Sequence, residues 1–268
     1  MMKPPGTLYI VATPIGNPGD ITQRALEVLA SVDAIICEEL RPATTLLKRL
    51  EITPRQLLTL NEHNEAERVD EIVNRLAMGE SFALISDCGT PVFADPGHAL
   101  VRRTAELEFR VQPIPGVSSL MTALSLLDFK LERFVFGGFL ARQPDQRRQE
   151  LQRLRSLRMP IVLMDTPYRL GALLEEVSRA FGANHSILLA MDLTLPSETI
   201  LRGSITEVRQ QVGARKLNLS SSFTPRLIDN PLELTLISLL FPNQEEPHPE
   251  ALNGVSYNLF GRRLTAPY

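Results

Sequence analysis

A short apolar run, Phe82–Ile85, leads directly into a polar turn. The run is bounded by glycines, a pattern typical of a strand that is covered on both faces. Gly89 and Pro91 interrupt regular structure, so Asp87 and the backbone N–H groups beside it fall at the carboxyl end of that strand. Open α/β sheets bind their ligands at that end of their strands. The segment therefore predicts both a sheet of parallel type and a ligand-binding turn.

A second turn of the same kind follows the apolar run Leu8–Ala12. It extends from Thr13 to Asp20, and the apolar residues beyond it recur at helical spacing, with Asp20 as the predicted N-cap. Apolar runs and helical patterns then alternate along the chain, which is typical of a mostly parallel sheet with helices on both faces. Because parallel strands end at the same edge of a sheet, we expect the bends near Thr13 and Asp87 to converge on one crevice.

The alternation predicts an α/β fold with two α/β domains. The first covers residues 1–129 and carries both ligand-type turns. A new series of strands and helices starts at Phe134 and gives a second domain over residues 130–215. Residues 216–268 form a Pro- and Ser-rich tail that we expect to be loose surface and in part disordered. Within that tail the apolar run Leu232–Phe241 fits either a strand or a short helix.

Composition narrows the class of protein. The chain has 268 residues, of which 44% are hydrophobic and 22% charged, the ordinary values of a globular protein. No run reaches the roughly 18 apolar residues of a membrane helix and the N-terminus lacks a secretory pattern, so we expect a cytoplasmic protein. The net charge of −3 gives no general attraction for nucleic acid. Cys37 and Cys88 lack metal-ligand spacing, so we expect packing residues and no metal site.

Seven short motifs occur in a fixed order from Leu8 to Ser204. Their order and residues resemble the class III S-adenosylmethionine-dependent methyltransferases, also called tetrapyrrole methylases. Each motif alone is common, and the combination is specific. The motifs are Leu8–Asn17, His63–Glu65, Ser86–Pro91, Asp95–Gly97, Pro113–Gly116, Gly138–Leu140 and Arg202–Ser204.

The resemblance implies two α/β domains with S-adenosylmethionine in the cleft between them, usually in a homodimer. The nearest likeness is to a subfamily that methylates a ribose 2′-hydroxyl of small-subunit ribosomal RNA, which implies an RNA partner. The resemblance also implies which residues bind the cofactor. They are Thr13, Pro14, Gly16, Asp87, Gly89, Thr90, Ser118, Ser119, Met164, Asp165, Ala190 and Met191.

Two departures from the family pattern stand out. After the second strand the family's aspartate and threonine are missing from Cys37–Arg41, which reads Cys-Glu-Glu-Leu-Arg. Beyond residue 212 the expected Lys-Gly-Glu and apolar strand are replaced by Ala214–Asn218, through either a diverged ending or a translated frameshift. If the last strand of the second domain is missing, one edge of its sheet is open.

Methyl transfer from a sulfonium is an in-line displacement, so an enzyme contributes mainly by holding the nucleophile and the methyl group in near-attack geometry. A ribose hydroxyl is a poor nucleophile near neutral pH, and a nearby base helps. The candidates for such a base are Glu38, Glu39, Glu62 and His63. His63 has a second interpretation, as a loop residue that helps to cap the following helix.

The segment 142–158 is rich in arginine. It is either a solvated helix face with leucines packed inward or a set of guanidinium groups for RNA phosphates. Arg142, Arg147 and Arg148 are the candidate RNA contacts. No aromatic residue is interleaved with them, so the segment predicts binding to the RNA backbone and no base stacking.

Three other functions compete with RNA methylation. One is a methylase of a tetrapyrrole such as a corrinoid precursor. Another is a nucleotide-binding dehydrogenase, but the loop has Gly16 and Gly19 where a dinucleotide site requires Gly-x-Gly-x-x-Gly. The third is a non-catalytic relative that binds the cofactor, which the altered Cys37–Arg41 segment favours.

Overall fold

The computed structural model describes residues 4–61, 63–93, 95–220 and 237–240. The first half of the chain alternates strands and helices: β1 Thr7–Val11, α1 Gln23–Ser31, β2 Ala34–Cys37, α2 Leu40–Arg49, β3 Leu57–Thr59, α3 Glu65–Ala77, β4 Phe82–Ile85, α4 His98–Glu106, β5 Arg110–Ile114 and α5 Ser119–Leu124. The second half contains β6 Val135–Phe139, α6 Pro144–Ser156, β7 Ile161–Met164, α7 Leu170–Phe181, β8 Ser186–Met191, β9 Thr199–Ser204, α8 Ile205–Ser220 and β10 Ile237–Leu240. The predicted α/β class is confirmed.

The first sheet has the strand order β3-β2-β4-β1-β5, and each of its neighbouring pairs is parallel. Every residue of β2 and β4 is buried, as expected of strands with helices on both faces. One layer of core packs α3 and α4 around Phe82, and the opposite layer packs α1 and α2 around Ile35. All five strands run in one direction, so their carboxyl ends share an edge.

The second sheet has the order β6-β7-β10-β8-β9 and is mixed. Strands β6 and β7 are parallel, whereas β10 is antiparallel to both of its neighbours and β9 is antiparallel to β8. Strands β6, β7 and β8 therefore point the same way, and their carboxyl ends also share an edge. Helices α6, α7 and α8 cover one face of this sheet, around Leu163 and Leu189.

Strand β10 comes from the range that the sequence assigned to the tail. Its backbone pairs with Leu163 on one side and with Leu189 on the other, so it lies inside the sheet and not at its edge. The last strand of the second sheet is therefore present, and the open edge considered above does not arise from its loss. The domain limits at residues 129 and 215 stay predictions, because the second sheet takes this strand from beyond residue 215.

The predicted N-cap of the first helix was wrong. Helix α1 begins after Thr22, whose hydroxyl accepts a hydrogen bond from the backbone N–H of Ala25 at 3.2 Å. Asp20 instead ends a short 3₁₀ turn, Pro18–Asp20, capped by Asn17. Two consecutive caps fit this stretch because the chain makes an extra turn before it enters the helix.

No helix in the described part of the chain is long and apolar enough to cross a membrane.

A further apolar cluster joins the two halves of the chain: Ile15 and Ala123 from the first half pack with Val162, Leu188 and Leu193 from the second. This cluster lies on the face of the second sheet that α6 to α8 leave free, and it brings the turn after β1 against that sheet.

Candidate functional site

The predicted bends after β1 and β4 meet, and Thr13 joins them. Its backbone N–H donates to the carbonyl of Gly89 at 2.8 Å, and its buried hydroxyl lies within hydrogen-bond distance of the carbonyls of Ser86 (3.1 Å) and Gly89 (3.3 Å). The convergence expected from the sequence is thereby found. Thr13 uses its side chain to hold the bends themselves, so it shapes the crevice through the backbone.

Close approach of the backbone explains the glycines in these bends. Gly89 has φ +83°, a conformation that L side chains rarely adopt, and an added Cβ would lie 3.2 Å from Ile15. At Gly16 a Cβ would lie 2.8 Å from Leu195 and 2.9 Å from the hydroxyl oxygen of Thr194. Pro14 follows Thr13 and is buried. The turn after β1 is thus packed directly against the loop that follows β8.

The side chain of Asp87 makes no hydrogen bond of normal geometry within its own turn. The hydroxyl of Ser86 accepts from the N–H of Cys88 at 3.1 Å and donates to the Cys88 carbonyl at 3.0 Å, so Ser86 holds the bend. Both carboxylate oxygens of Asp87 are buried, and neither has a hydrogen-bond partner of normal geometry in the part of the chain that the structure describes. The alternative role for Asp87, bonding its own turn, is therefore not what its side chain does.

The surroundings of Asp87 are acidic. Burial raises the pKa of its carboxyl to about 7, the negative charges of Glu38, Glu39 and Asp95 contribute to that rise, and the backbone N–H of Glu39 opposes it in part. The pKa of Asp95 is itself raised by burial, which a hydrogen bond from Ser86 opposes. The side-chain charges that shift Asp87 are thus all negative, and such a cluster stabilises a positively charged ligand.

The two cysteines pack, as expected. Cys37 is fully buried, and burial, with a smaller effect from the charge of Asp87, raises the pKa of its thiol to about 12. The thiol therefore stays protonated at neutral pH. Cys88 lies between the bends, with its sulfur 3.6 Å from the carbonyl of Ile15. Among the described residues, no group of three or more His, Cys, Asp or Glu side chains could hold a metal ion.

The loop after β8 contacts the turn after β1 from the side of the second sheet. The backbone N–H of Asn17 donates to the hydroxyl of Thr194 at 3.0 Å, and the N–H of Thr194 donates to Glu198 at 2.9 Å. Asp192 (φ 52°) and Thr194 (φ 66°) both have left-handed backbone conformations, which cost a branched side chain such as Thr on the order of 1 kcal/mol. Neither residue was found from the sequence, because neither carries a motif.

Four candidates from the second half lie at the carboxyl edge of the second sheet. Met164 and Ala190 belong to the apolar cluster that contains Ile15, and Met191, the last residue of β8, is half-buried. Asp165 follows β7 and is 1% exposed. Its oxygen Oδ1 accepts from the Thr166 N–H at 2.8 Å, whereas Oδ2 has no partner among the described residues.

Asp165 lies beside arginines and not beside acids. Arg169 Nε is 3.3 Å from its Oδ1. Burial raises the pKa of Asp165, and the Thr166 N–H together with the charges of Arg169 and Arg147 opposes that rise. Arg169 also donates to the carbonyls of Leu140 (2.8 Å) and Ala141 (3.3 Å), so it ties the turn after β7 to the loop after β6.

The remaining cofactor candidates line the turn after β5. Gly116 approaches the residue after β1 so closely that a Cβ there would lie 3.1 Å from the Cβ of Ala12. Ser118 caps α5 by accepting from the Met121 N–H at 3.4 Å, and Ser119 is the first residue of that helix. The hydroxyl of Thr90 donates to the Val117 carbonyl at 3.3 Å. This turn therefore borders the same crevice as the bends after β1 and β4.

The base candidates are not equally placed. Glu38 and Glu39 follow β2, next to β4 in the sheet, and their charges raise the pKa of Asp87. His63 is exposed and follows β3, one strand farther away. Its backbone N–H donates to Asn61, and the neighbouring Glu65 caps α4 by accepting from Gly97 and Ala99. Glu62 lies outside the described residues.

The arginine candidates differ in burial. Arg147 is 7% exposed and forms a buried pair with Glu176, with Nη2 to Oε1 at 2.9 Å. It also donates to the carbonyls of Ala141 and Arg142, so it braces the loop before α6. Arg142 and Arg148 have exposed side chains, and Arg148 pairs with Asp145 on the helix surface. The expectation of RNA contact thus rests on these two.

Comparison with known proteins identifies the family of the chain. Residues 7–209 match the family described as Tetrapyrrole (Corrin/Porphyrin) Methylases. The chain belongs to this family. It is 40% identical over 211 residues, 79% of this chain and 77% of the relative, to the ribosomal RNA small subunit methyltransferase I of Xylella fastidiosa. It is 36% identical over 261 residues, 97% of this chain and 84% of the relative, to the protein of the same name from Neisseria meningitidis serogroup A.

A solved structure has the same fold. The uroporphyrin-III C-methyltransferase of Thermus thermophilus, complexed with S-adenosylhomocysteine, superposes with a TM-score of 0.56 at 16% identity and covers 88% of this chain and 97% of its own. The Neisseria alignment also extends beyond residue 212, the point at which the family's motifs end in this chain. The resemblance predicted from seven motifs is confirmed.

Proposed function

We propose that this chain is an S-adenosylmethionine-dependent methyltransferase that modifies a ribose 2′-hydroxyl of small-subunit ribosomal RNA. The observation that carries the cofactor half is Asp87: neither of its two buried carboxylate oxygens has a hydrogen-bond partner of normal geometry among the described residues, and both lie in an acidic crevice. S-adenosylmethionine has an ammonium group and a sulfonium centre, so its positive charges complement that crevice. When bound, it supplies a methyl group on a positively charged sulfur.

The chain's own residues then bind and orient. The carboxylate of Asp87 accepts hydrogen bonds from the ammonium group, which gives its two buried oxygens donors of normal geometry. Gly16 and Gly89 contribute backbone groups at points where no side chain fits. Met164 and Ala190 form an apolar wall, and Asp165 Oδ2 offers one more unsatisfied acceptor.

Glu38 and Glu39 are the best placed of the base candidates, since both lie close enough to Asp87 to raise its pKa. A carboxylate at that position accepts a proton from a ribose hydroxyl held in line with the methyl group. Replacing each with Gln separates them: both changes remove one negative charge near the cofactor, but only the variant that lacks the base loses most of its turnover at saturating cofactor.

The ribosomal substrate rests on the two curated relatives, both small-subunit ribosomal RNA methyltransferases, at 36% and 40% identity. The family resemblance further supports a homodimer, and a ribosomal substrate supports a cytoplasmic location. No contact among the described residues favours a tetrapyrrole over RNA as substrate.

The decisive assay uses labelled S-adenosylmethionine with undermethylated small ribosomal subunits, with a corrinoid precursor as a parallel substrate. We expect label in the ribosomal RNA, at a ribose oxygen. Label in the macrocycle alone would reject the RNA assignment, and cofactor binding without transfer to either substrate would identify a non-catalytic relative. Binding of NAD without binding of S-adenosylmethionine, measured by calorimetry, would overturn the cofactor assignment.

A further inference from the structure

Two large aromatic side chains are exposed at the carboxyl edge of the second sheet. Phe139 is the last residue of β6 and is 48% exposed, and Tyr168 lies in the turn between β7 and α7 and is 80% exposed. Exposed apolar residues scattered singly are normal, whereas a contiguous exposed patch indicates a binding surface. These two residues are far apart in sequence, so only the fold brings their segments together.

The structure fixes the two segments side by side. Strands β6 and β7 are parallel, and Phe139 stands opposite Met164 in the register. Beyond the strand ends, the guanidinium of Arg169 donates to the carbonyls of Leu140 and Ala141. The residue that follows Tyr168 is thus bonded to the residue that follows Phe139, and the turn after β7 is held against the end of β6.

Hydrogen bonds brace the backbone next to these aromatics. The N–H of Ala141 donates to Glu150 at 2.9 Å, and its carbonyl accepts from Arg147 at 3.2 Å, an arginine that is itself paired with buried Glu176. A large exposed aromatic side chain on a braced backbone has little conformational entropy to lose on binding, which favours its use as a contact surface.

The local chemistry suits a nucleotide with an unpaired base. Aromatic faces stack on any base, and a neighbouring guanidinium binds the phosphate. The exposed side chain of Arg142 lies three residues beyond Phe139, on the loop that Arg147 braces. The chain's net charge of −3 provides no general attraction for RNA, so such recognition has to be local. Asp165, a candidate cofactor contact, lies three residues before Tyr168 at the same edge.

We propose that Phe139 and Tyr168 form a stacking platform for an unpaired nucleobase of the RNA, with Arg142 on the adjacent phosphate. The inference rests on the proposed function and narrows its substrate: the site takes a nucleotide whose base is splayed out and does not take a base-paired duplex. It also changes the interpretation drawn from sequence, in which the absence of aromatics among the arginines predicted contact with the RNA backbone alone. The aromatics come instead from the strand end and from the next turn.

The chain contains no tryptophan, which allows a clean fluorescence test. In the Tyr168→Trp variant the single indole reports directly on stacking. We expect its emission to be quenched by a short unpaired oligoribonucleotide and far less by the same strand in a duplex. The matched control is Met78→Trp: Met78 is 63% exposed but caps the carboxyl end of α3, a helix that starts at the carboxyl edge of the first sheet and runs away from it. Equal quenching in both variants would refute the platform.

A kinetic test separates this inference from the proposed function. Tyr168→Ala and Phe139→Ala are each expected to raise KM for small ribosomal subunits about 5- to 150-fold, the range of a lost stacking contact, while Tyr168→Phe stays near the original value. Calorimetric affinity for S-adenosylmethionine is expected to be unchanged in all three. If the unmodified chain does not bind S-adenosylmethionine, the proposed function is refuted. If Tyr168→Ala leaves KM unchanged, only the platform is refuted.

A protein contact is the competing use of these aromatics. If they join two copies of the chain, Tyr168→Ala will shift the sedimentation coefficient toward that of a monomer, and the indole emission of the Tyr168→Trp variant will depend on protein concentration without RNA. Either result would overturn the inference in favour of an interface between copies.

Discussion

Asp87 and Asp165 occupy corresponding places in the two sheets, and their surroundings are opposite. Each follows a fully buried strand at the carboxyl edge of its sheet. Asp87 has acidic neighbours and no hydrogen-bond partner of normal geometry among the described residues, whereas Asp165 bonds the Thr166 N–H and lies beside Arg169. We therefore expect a ligand that brings positive charge to complete the first edge, whereas the second edge has an arginine of its own that already contacts its carboxylate.

The largest effect is expected from removing a buried cation of the second edge. Arg147→Met leaves the carboxylate of Glu176 buried without its partner, and the loss of one member of a buried pair costs roughly 3–5 kcal/mol. The carbonyls of Ala141 and Arg142 also lose their donor. We expect the free energy of unfolding, measured in urea, to fall by about that amount.

The control for this change is Arg148→Met, one residue away and exposed on the helix surface. Its ion pair with Asp145 is solvated, so we expect a change below about 1 kcal/mol. Similar losses in the two variants would mean that the second edge does not depend on its buried arginine. The double variant with Glu176→Leu is expected to recover much of the stability, because it removes the unpaired charge as well.

The next prediction concerns the first edge, where one substitution is expected to lower cofactor affinity and to raise the stability of the ligand-free chain. Asp87→Asn removes the carboxylate proposed to bind the ammonium group, and a lost buried charge contact weakens affinity by roughly 2–4 kcal/mol, about 30- to 1000-fold. The same change removes a buried charge that has acidic neighbours in the free protein, so we expect the ligand-free chain to gain about 1 kcal/mol in stability at pH 8, after allowance for solvent screening. Calorimetry and urea unfolding measure the two effects.

Reduced affinity together with reduced stability would show that Asp87 is a structural residue, and the contrast with Asp165 would then fail. The matched control is Asp145→Asn, which changes an exposed carboxylate on α6 and is expected to leave both quantities nearly unchanged. Opposite signs in a single variant distinguish a ligand-binding carboxylate from a residue that merely supports the fold.

The parts of this contrast that sequence reasoning found are those that depend on local pattern. Strand β4 was predicted to the residue, because all four of its residues are buried and apolar. Asp87 was found because a strand, a glycine and a proline fix its position along the chain. Strand β3 was missed, since only one of its three residues is buried, and β9 was missed because buried and exposed residues are mixed within it.

The parts that the sequence did not provide depend on distant residues. The pattern of arginines in α6 placed Arg147 with its neighbours as a candidate RNA contact, yet Glu176 on α7 makes it a buried brace. Likewise the bond between Asn17 and Thr194 joins residues that no motif connects. The acidic surroundings of Asp87 arise in the same way, because its acidic neighbours include Glu38 and Glu39 from the end of another strand. Charge environments are set by packing across strands, which local pattern does not encode.

A smaller effect follows from the pKa of Asp87. Its carboxyl has a pKa raised to about 7 in the ligand-free protein, so protonation below that value removes the charge that binds the ammonium group. We expect affinity for S-adenosylmethionine to be greatest above pH 7 and to fall about tenfold from pH 8 to pH 6. Calorimetry over that range measures it, with Asp87→Asn as the control that should show little dependence.

The same raised pKa predicts how stability changes with pH. The folded state binds a proton at Asp87 between the unfolded value near 4 and the folded value near 7, so this group stabilises the fold at low pH and loses that contribution as pH rises through about 7. S-adenosylmethionine should reverse the trend above pH 7, where the carboxylate is charged and bound. An affinity that is flat from pH 6 to pH 8 would mean that this carboxylate does not meet the ammonium group.

The smallest expected effect tests how the two edges are joined. Thr194→Ala removes the acceptor for the Asn17 N–H and keeps a left-handed residue at that position, so we expect a loss of about 0.5–1.5 kcal/mol in unfolding free energy. Thr194→Gly removes the same acceptor but relieves the backbone strain, worth about 1 kcal/mol, so its net loss should be smaller. Urea unfolding ranks the two variants. Equal losses would show that the left-handed backbone at Thr194 does not destabilise the folded protein. A larger loss in the glycine variant would show that the added flexibility of glycine in the loop after β8 costs more than the relief of backbone strain contributes.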